Sequence, residues 1–345
     1  MKKLIGGQDS LFPWVLHPVH LYEYGLELGL SAEELLHGAG LSLQDIDDVD
    51  LHITWQQYRL IADVVAGIAS DWGFQFGLRL PVASHGLLGL LALNCVTWEQ
   101  VVDIQENYPL LVSPIFYVQR RDTHEYCCLT IHPEFTRDPI LRHSLEAYFS
   151  MFFQSVLQIG GEAARKYTSS LFVRVQGSPP DYAEEWRQFF DGQIEWNQHA
   201  DQIWIHKDLL ALPIPNADPV SANATRRVLQ AQLNQLPANK GGLNELRTLF
   251  SRGFYKQEEC AQQLFTTLPT LKRYLQAACT SFSRELTMYR MDEAFWEAAH
   301  TECSMSELSE RLGFRDVNSF GRLFKKEAGV SFTDFRQRYQ GAILT

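Results

Sequence analysis

The chain has six cysteines but no Cys-x-x-Cys pair, and two of the six, Cys127 and Cys128, are adjacent. That spacing suits neither a disulfide framework nor a tetrahedral zinc site. Reduced, mostly buried thiols are expected at Cys95, Cys127, Cys128, Cys260, Cys279 and Cys303. Long apolar runs are missing as well. The longest strongly apolar stretch, residues 87–95, falls far short of the roughly 20 residues that span a bilayer. A secretory leader is lacking too, because Gly6-Gly7-Gln8-Asp9-Ser10 interrupts the apolar run that would follow Lys2 and Lys3. These absences predict a cytoplasmic protein with no membrane partner.

Signatures of catalysis and cofactor binding are equally scarce. Ser84-His85-Gly86 has neither a nucleophile elbow nor an Asp-oriented histidine around it, and Gly86, Gly89 and the leucines between them suit close packing instead. His17 and His20 are separated by Pro18, which spoils a helical metal pair. Gly160-Gly161 is not followed by Lys-Ser/Thr, so it is not a phosphate loop. The expectation is no enzyme activity, no catalytic residue, no metal and no cofactor.

What is present is a chain of 345 residues, long enough for two or three domains. Hydrophobic residues at 46% and charged residues at 21% exclude the disordered and fibrous classes. The net charge of −11 is unevenly spread: residues 243–345 hold 14 Lys+Arg and 13 Asp+Glu, and the remainder holds 16 and 28. The acidity therefore lies in the N-terminal part. Any affinity of the near-neutral C-terminal part for phosphate must come from where its cations sit.

Residues from about 15 to 70 read as helical. Ser31 and Glu34 form a capping-box-like start, and Tyr58, Ile61, Val65 and Ile68 lie on one stripe of a helix over 54–70. Two β-branched and aromatic runs, 115–118 and 125–131, flank Arg121-Asp122-Thr123 as a hairpin. A helix follows over 141–159, ending at Gly160-Gly161, and 171–175 and 203–206 read as strands. Pro213 to Pro219 breaks regular structure, a helix over about 221–236 follows, and 237–242 has linker composition. The predicted fold class is an α+β N-terminal regulatory domain, a small sheet packed with helices, followed by an all-α C-terminal domain. The predicted division is 1–236, linker 237–242, and 243–345.

The C-terminal part repeats itself at an offset of 48 to 50 residues. Leu264, Leu271 to Leu275 and Thr280-Ser281-Phe282 align with Leu312, Phe320 to Phe324 and Val330-Ser331-Phe332. Each copy reads as helix, turn, helix, at about 257–279 and 305–328, joined by a continuous helix over 283–300. In the second copy Ser304 and Asp316 are caps, Gly313 frees the turn and Phe314 fills the core. Val317, Phe320, Leu323 and Phe324 share the inner side, and Asn318, Ser319, Arg322, Lys325 and Lys326 share the outer one. In the first copy Thr267 is the cap and Leu268, Leu271, Leu275 and Ala278 face inward. Thr270, Lys272, Arg273 and Gln276 face out. Amides and guanidinium groups suit base edges and ammonium groups suit phosphates, so each outer face has the chemistry of a recognition helix.

These residues carry a resemblance. Residues 246–339 resemble the DNA-binding domain of the AraC/XylS family of bacterial transcription regulators. The matching positions are Thr270-Leu271-Lys272-Arg273, Thr280-Ser281-Phe282, Leu308-x-x-x-Leu312-Gly313-Phe314, Ser319-Phe320-x-Arg322-x-Phe324-Lys325-Lys326, Gly329-Val330-Ser331 and Phe335-Arg336. Two positions depart from the family pattern: Phe265 stands where Gly is usual and Phe332 where Pro is usual. More loosely, Phe74-x-Phe76-Gly77-Leu78-Arg79, His85-Gly86-Leu87-Leu88-Gly89 and Pro213-Ile214-Pro215-Asn216-Ala217-Asp218 resemble the arabinose-binding-like regulatory domain of one branch of the family. The resemblance implies a double-stranded DNA operator, RNA polymerase, a small-molecule effector and a homodimer through the N-terminal domain as partners, and an activator as the outcome. Tyr22, Tyr24, Trp72, Tyr108, Phe116, Tyr148 and Phe152 are candidate effector-lining aromatics, with no choice among them. A DNA-binding module appended to an enzyme, and a non-specific architectural DNA binder, are the competing readings.

Overall fold

The computed structural model describes residues 4–134, 140–166, 169, 171–236 and 240–340. A sheet with helices around it makes the N-terminal domain, and the C-terminal domain is wholly helical among the described residues. Strands β1 (Ser10–Pro13) and β2 (His52–Thr54) form a small antiparallel pair. The other five among the described residues are β3 (Phe116–Asp122), β4 (Tyr126–Pro133), β5 (Leu171–Arg174), β6 (Ile194–Glu195) and β7 (Gln202–His206). They form one sheet in the order β3-β4-β7-β5-β6, antiparallel except for the β5–β6 pair.

Strict alternation gives this sheet two different faces. Phe116, Val118, Cys127, Leu129, Ile131, Leu171, Val173, Ile203 and Ile205 belong to the N-terminal core. Their chain neighbours Cys128, Phe172 and Trp204 form a separate apolar cluster on the other side, with Trp296 of the C-terminal domain packed against it. The adjacent cysteines are thus split between two cores by the pleat.

Helix Trp72–Arg79 lies against the long helix Ile140–Arg165 at backbone contact. A Cβ added at Gly73 would fall 2.2 Å from the His143 carbonyl oxygen, and one at Gly77 would fall 2.2 Å from that of Ala147. Gly89 plays the same part against Val82, where a Cβ would come within 1.9 Å of the carbonyl oxygen. The close packing expected of the Gly86-to-Gly89 segment is thus realised at Gly89.

Local signals are realised where the chemistry is local. Ser31 accepts from Glu34 N–H while the Glu34 carboxylate accepts from Ser31 N–H, and Thr54 and Gln57 form the same reciprocal cap on helix Trp55–Ala66. Some expectations need correction. The 15–70 segment is interrupted by β2, whose partner lies some forty residues earlier in the chain. Helix Trp55–Ala66 ends before Ile68, which is exposed, so the stripe stops at Val65. The helix expected over 141–159 does break where Gly160-Gly161 was expected to end it: Gly161 has a non-helical φ of 55°, and a second short helical stretch runs on to Arg165. The hairpin turn lies two residues later than expected, at 123–125, with Thr123 Oγ1 accepting from Tyr126 N–H at 3.0 Å. Of the expected linker, residues 237–239 lie outside the described residues, and the first C-terminal helix begins at Gly242.

His17 and His85, far apart in sequence, meet with Nε2 and Nδ1 2.8 Å apart. Burial holds both imidazoles below the ordinary histidine range, His85 at about 4, and His20 nearby pushes in the same direction. The unfolded chain therefore binds protons that the folded chain refuses once the pH drops below about 6.5. Stability should be fully present above that pH and decline toward pH 4, by less than about 1.4 kcal/mol per pH unit for each imidazole. Thermal melts from pH 7.5 to 5 should show a falling Tm, and His85→Asn should make the fall shallower; an identical slope in the variant would refute this assignment.

Candidate nucleic-acid interface

Among the described residues seven helices build the C-terminal domain: Gly242–Ser251, Gln257–Gln263, Leu268–Ala277, Phe282–His300, Met305–Arg311, Val317–Ala328 and Phe332–Tyr339. Helices Gln257–Gln263 and Leu268–Ala277 form the first helix-turn-helix unit, and Met305–Arg311 and Val317–Ala328 form the second. Phe282–His300 connects them. One apolar core serves both, with Cys260, Leu264, Leu271 and Leu275 from the first and Leu308, Leu312, Phe320 and Phe324 from the second.

Each unit uses the same local chemistry. Thr267 caps the second helix of the first unit by accepting from Thr270 N–H, and Asp316 does so in the second by accepting from Ser319 N–H. Ser281 and Ser331 cap the helices that follow. The turns match too. Gly313 has φ +67° and Phe265, in the same place of the first unit, has φ +52°. Cys279 and Gly329, after the second helices, are likewise left-handed at +54° and +74°. Phe265 therefore keeps the turn that glycine would make, and its side chain is 67% exposed. Phe332 stands at the first position of its helix, where proline is tolerated, and its ring packs on Phe320 and Phe324 instead.

Of the nine sequence-predicted contact residues, Lys272, Arg273, Gln276, Asn318, Arg322, Lys325 and Lys326 are exposed, and Thr270 and Ser319 are half-buried. Thr270 Oγ1 lies 2.9 Å from Thr267 Oγ1. Ser319 Oγ donates to Asp316 Oδ2 at 2.8 Å and accepts from Arg322 Nη2 at 3.1 Å. The Ser319 backbone and side-chain donors hold the Asp316 carboxyl below the usual carboxylate range. A fixed carboxylate thus orients Ser319, and Ser319 orients the Arg322 guanidinium. Lys325 and Lys326 lie in the last turn, where cations also suit the helix C-terminus. Lys326 has only a surface pairing with Glu327, at 3.5 Å.

Sequence reasoning missed the side chains that brace the second unit. Arg290 donates to the Leu312 and Gly313 carbonyls at 2.8 and 2.9 Å while covering the Phe314 ring, and Tyr255 Oη donates to the Arg311 carbonyl at 2.8 Å. Arg336 reaches the Ala298 and Cys303 carbonyls. No periodic signal marks an arginine that recognises carbonyls of another helix. Tyr274 on the first unit's second helix faces inward, against Gly6 and Gly242.

The connecting helix joins the domains. Arg121 pairs with Glu293, Trp204 stacks on Trp296 with ring centroids 5.8 Å apart, and His199 lies on Phe295. Glu134, buried at the end of β4, accepts from the Leu243 and Asn244 N–H groups at the start of helix Gly242–Ser251. Burial raises its carboxyl well above the ordinary range, while those two donors pull the other way.

In the N-terminal domain, Phe152 lines an apolar cavity, and Phe116 and Tyr148 line a smaller one beside it. Tyr22, Tyr24, Trp72 and Tyr108 are buried and line neither. Among the described residues no group of three or more His, Cys, Asp and Glu is placed to hold a metal, and no helix is long and apolar enough to cross a membrane.

Two helix-turn-helix units on one helical scaffold, each with a polar and cationic outer face, define a DNA-binding transcription regulator. Residues 29–214 match the family model described as the arabinose-binding domain of AraC transcription regulator, N-terminal, and residues 260–338 match a helix-turn-helix domain. The chain belongs to the AraC family of transcription regulators. It is 23% identical to the ornithine utilization regulator of Pseudomonas aeruginosa, over 98% of this chain and 99% of that one. The transcriptional activator RhaS of Salmonella schwarzengrund is 33% identical over 103 residues, 29% of this chain and 37% of RhaS. The crystal structure of the transcriptional regulator CdpR from Pseudomonas aeruginosa aligns with a TM-score of 0.47 at 17% identity, covering 92% of this chain and 97% of that one.

The two turns make opposite demands. A left-handed residue with a side chain costs about 1–2 kcal/mol, so Phe265→Gly should raise stability by about 1 kcal/mol. At Gly313 a Cβ would fall 2.3 Å from the Tyr255 ring, so Gly313→Ala should lower stability by about 2–4 kcal/mol. Urea unfolding of both variants tests the pair, and a loss of stability in Phe265→Gly would show that the first turn is unstrained.

Proposed function

We propose that this chain is a sequence-specific, effector-responsive activator acting in the cytoplasm and without enzymatic activity. On this reading residues 1–236 sense an effector and form the homodimer, 237–242 link the halves, and 243–345 bind DNA and present the protein to RNA polymerase. Thr270, Lys272, Arg273 and Gln276 face one major groove, and Asn318, Ser319, Arg322, Lys325 and Lys326 face the next.

The observation that carries this reading is the exposed cationic side of each unit's second helix, set against an apolar side buried in a common core. Bulk charge offers little, because the C-terminal part is nearly neutral. The connecting helix has 19 residues and so spans about 28 Å. With its flanking turns that length is compatible with recognition helices one DNA turn, roughly 34 Å, apart. Relatives described as transcriptional activators favour activation.

Genome-wide mapping of bound DNA should yield a short operator and its neighbouring genes. On that operator, Arg322→Ala should weaken binding by about 1–3 kcal/mol and relax preference at one position, and Arg273→Ala should also weaken it. Lys325→Ala should weaken all sequences alike and reduce the salt slope by about 1. Wild-type gel-shift affinity in both arginine variants would discard the contact assignment.

A further inference from the structure

The larger cavity of the N-terminal domain lies between helices and the inner face of the sheet. Its wall includes Leu88, Trp98, Phe152, Val156, Leu171 and Ile205. The polar groups on that wall are His85, Gln105 and Ser155, and none of its described lining residues is an Asp, Glu, Lys or Arg. The same holds for the smaller cavity beside it, with which it shares Val112 and Met151. Two hydrogen bonds cross the partition: His85 to His17, and Tyr148 Oη to Gln105 Oε1 at 3.1 Å. Burial lowers the affinity of both imidazoles for protons, so at neutral pH the pair supplies a donor and an acceptor but no charge.

A charged ligand group entering such a wall would lose its hydration and find no ion partner. An apolar body with one or two hydrogen-bonding groups would lose little and displace poorly held water. The wall is also connected to the DNA-binding half. Leu171 and Ile205 face the cavity, and their chain neighbours Phe172 and Trp204 stack on each other on the opposite face, where Trp204 meets Trp296 of the connecting helix. Whatever shifts β5 or β7 from inside therefore moves a ring that touches the scaffold of both helix-turn-helix units.

We propose that this cavity is the effector site and that its ligand is an uncharged, predominantly apolar small molecule, hydrogen-bonded at Gln105 or His85 and sensed through β5 and β7. The proposal rests on the effector-responsive reading above. It differs in naming the cavity and in excluding charged metabolites from it.

The test uses the full chain at pH 7.5 without DNA, titrated with the uncharged dye N-phenyl-1-naphthylamine. Saturable fluorescence enhancement is expected, with 1-decanol displacing the dye at least tenfold more effectively than decanoate or decylamine. Ser155→Trp and Val101→Trp, which fill the cavity from two different helices, should each weaken dye binding at least tenfold in protein whose melt remains cooperative. Trp204→Ala, outside the cavity, should keep dye affinity but lose any effect of 1-decanol on operator binding. No saturable binding, equal displacement by decanoate, or unchanged dye affinity in a folded filled variant would overturn the site. Intact dye binding with an operator affinity that ignores 1-decanol in the wild type would instead overturn the effector-responsive reading.

Discussion

The period-two alternation of β4, β5 and β7, combined with burial on both faces, is the constraint on which the arrangement of this protein depends. Leu171 and Ile205 point into the N-terminal core, while Phe172 and Trp204 point out and are equally buried. A half-solvated sheet would place polar groups at the second set of positions. Here aromatic side chains stand there, and the connecting helix of the DNA-binding domain covers them through Trp296 and His300. The sheet is therefore the wall between the two halves as well as the core of one. Arg121 and Arg174, which extend from the same outer face, add charge and cation–π contacts at its margin, and His132 on that face lies 3.7 Å from Asp292.

The C-terminal domain shows how a repeat survives when its sequence has diverged. Caps, left-handed turn residues and inward leucines or phenylalanines recur at the 48 to 50 residue offset, although the side chains at matching places differ. Thr267 and Asp316 perform one task with a hydroxyl and a carboxylate. Phe265 and Gly313 hold one backbone conformation with opposite steric requirements. At Gly313 the Tyr255 ring and the Arg290 guanidinium occupy the space a side chain would need, whereas the exposed Phe265 has no such neighbour to displace. The second unit is thus braced by side chains from outside itself.

Placement of charge resolves the conflict between an acidic chain and DNA binding. Lys272, Arg273, Arg322, Lys325 and Lys326 stand exposed on the outer sides of two helices, while the acidic excess lies in the N-terminal domain. Arg322 is preoriented through Ser319 by the Asp316 carboxylate, which also caps its helix. A single acidic residue therefore contributes to helix stability and to the pose of a guanidinium.

The two helix-turn-helix units, their caps, their inward stripes and their outward polar residues were legible in the sequence, because each rests on interactions within about four residues along the chain. The Ser31 cap and the strands β4, β5 and β7 were legible for the same reason. The β1–β2 pair, the brace from Arg290 and the meeting of His17 with His85 were not, since they join residues whose separation in sequence carries no periodic signal. The aromatics singled out as effector-lining residues divide between two cavities and plain core, because helix packing around Gly73, Gly77 and Gly89 decides which rings face empty space. Local hydrogen bonding and hydrophobic period thus determined the elements and which side chains of the two helix-turn-helix units point outward. Only tertiary packing decided that the sheet's second face would be buried by the other domain, because burial there depends on close contact between residues some ninety positions apart.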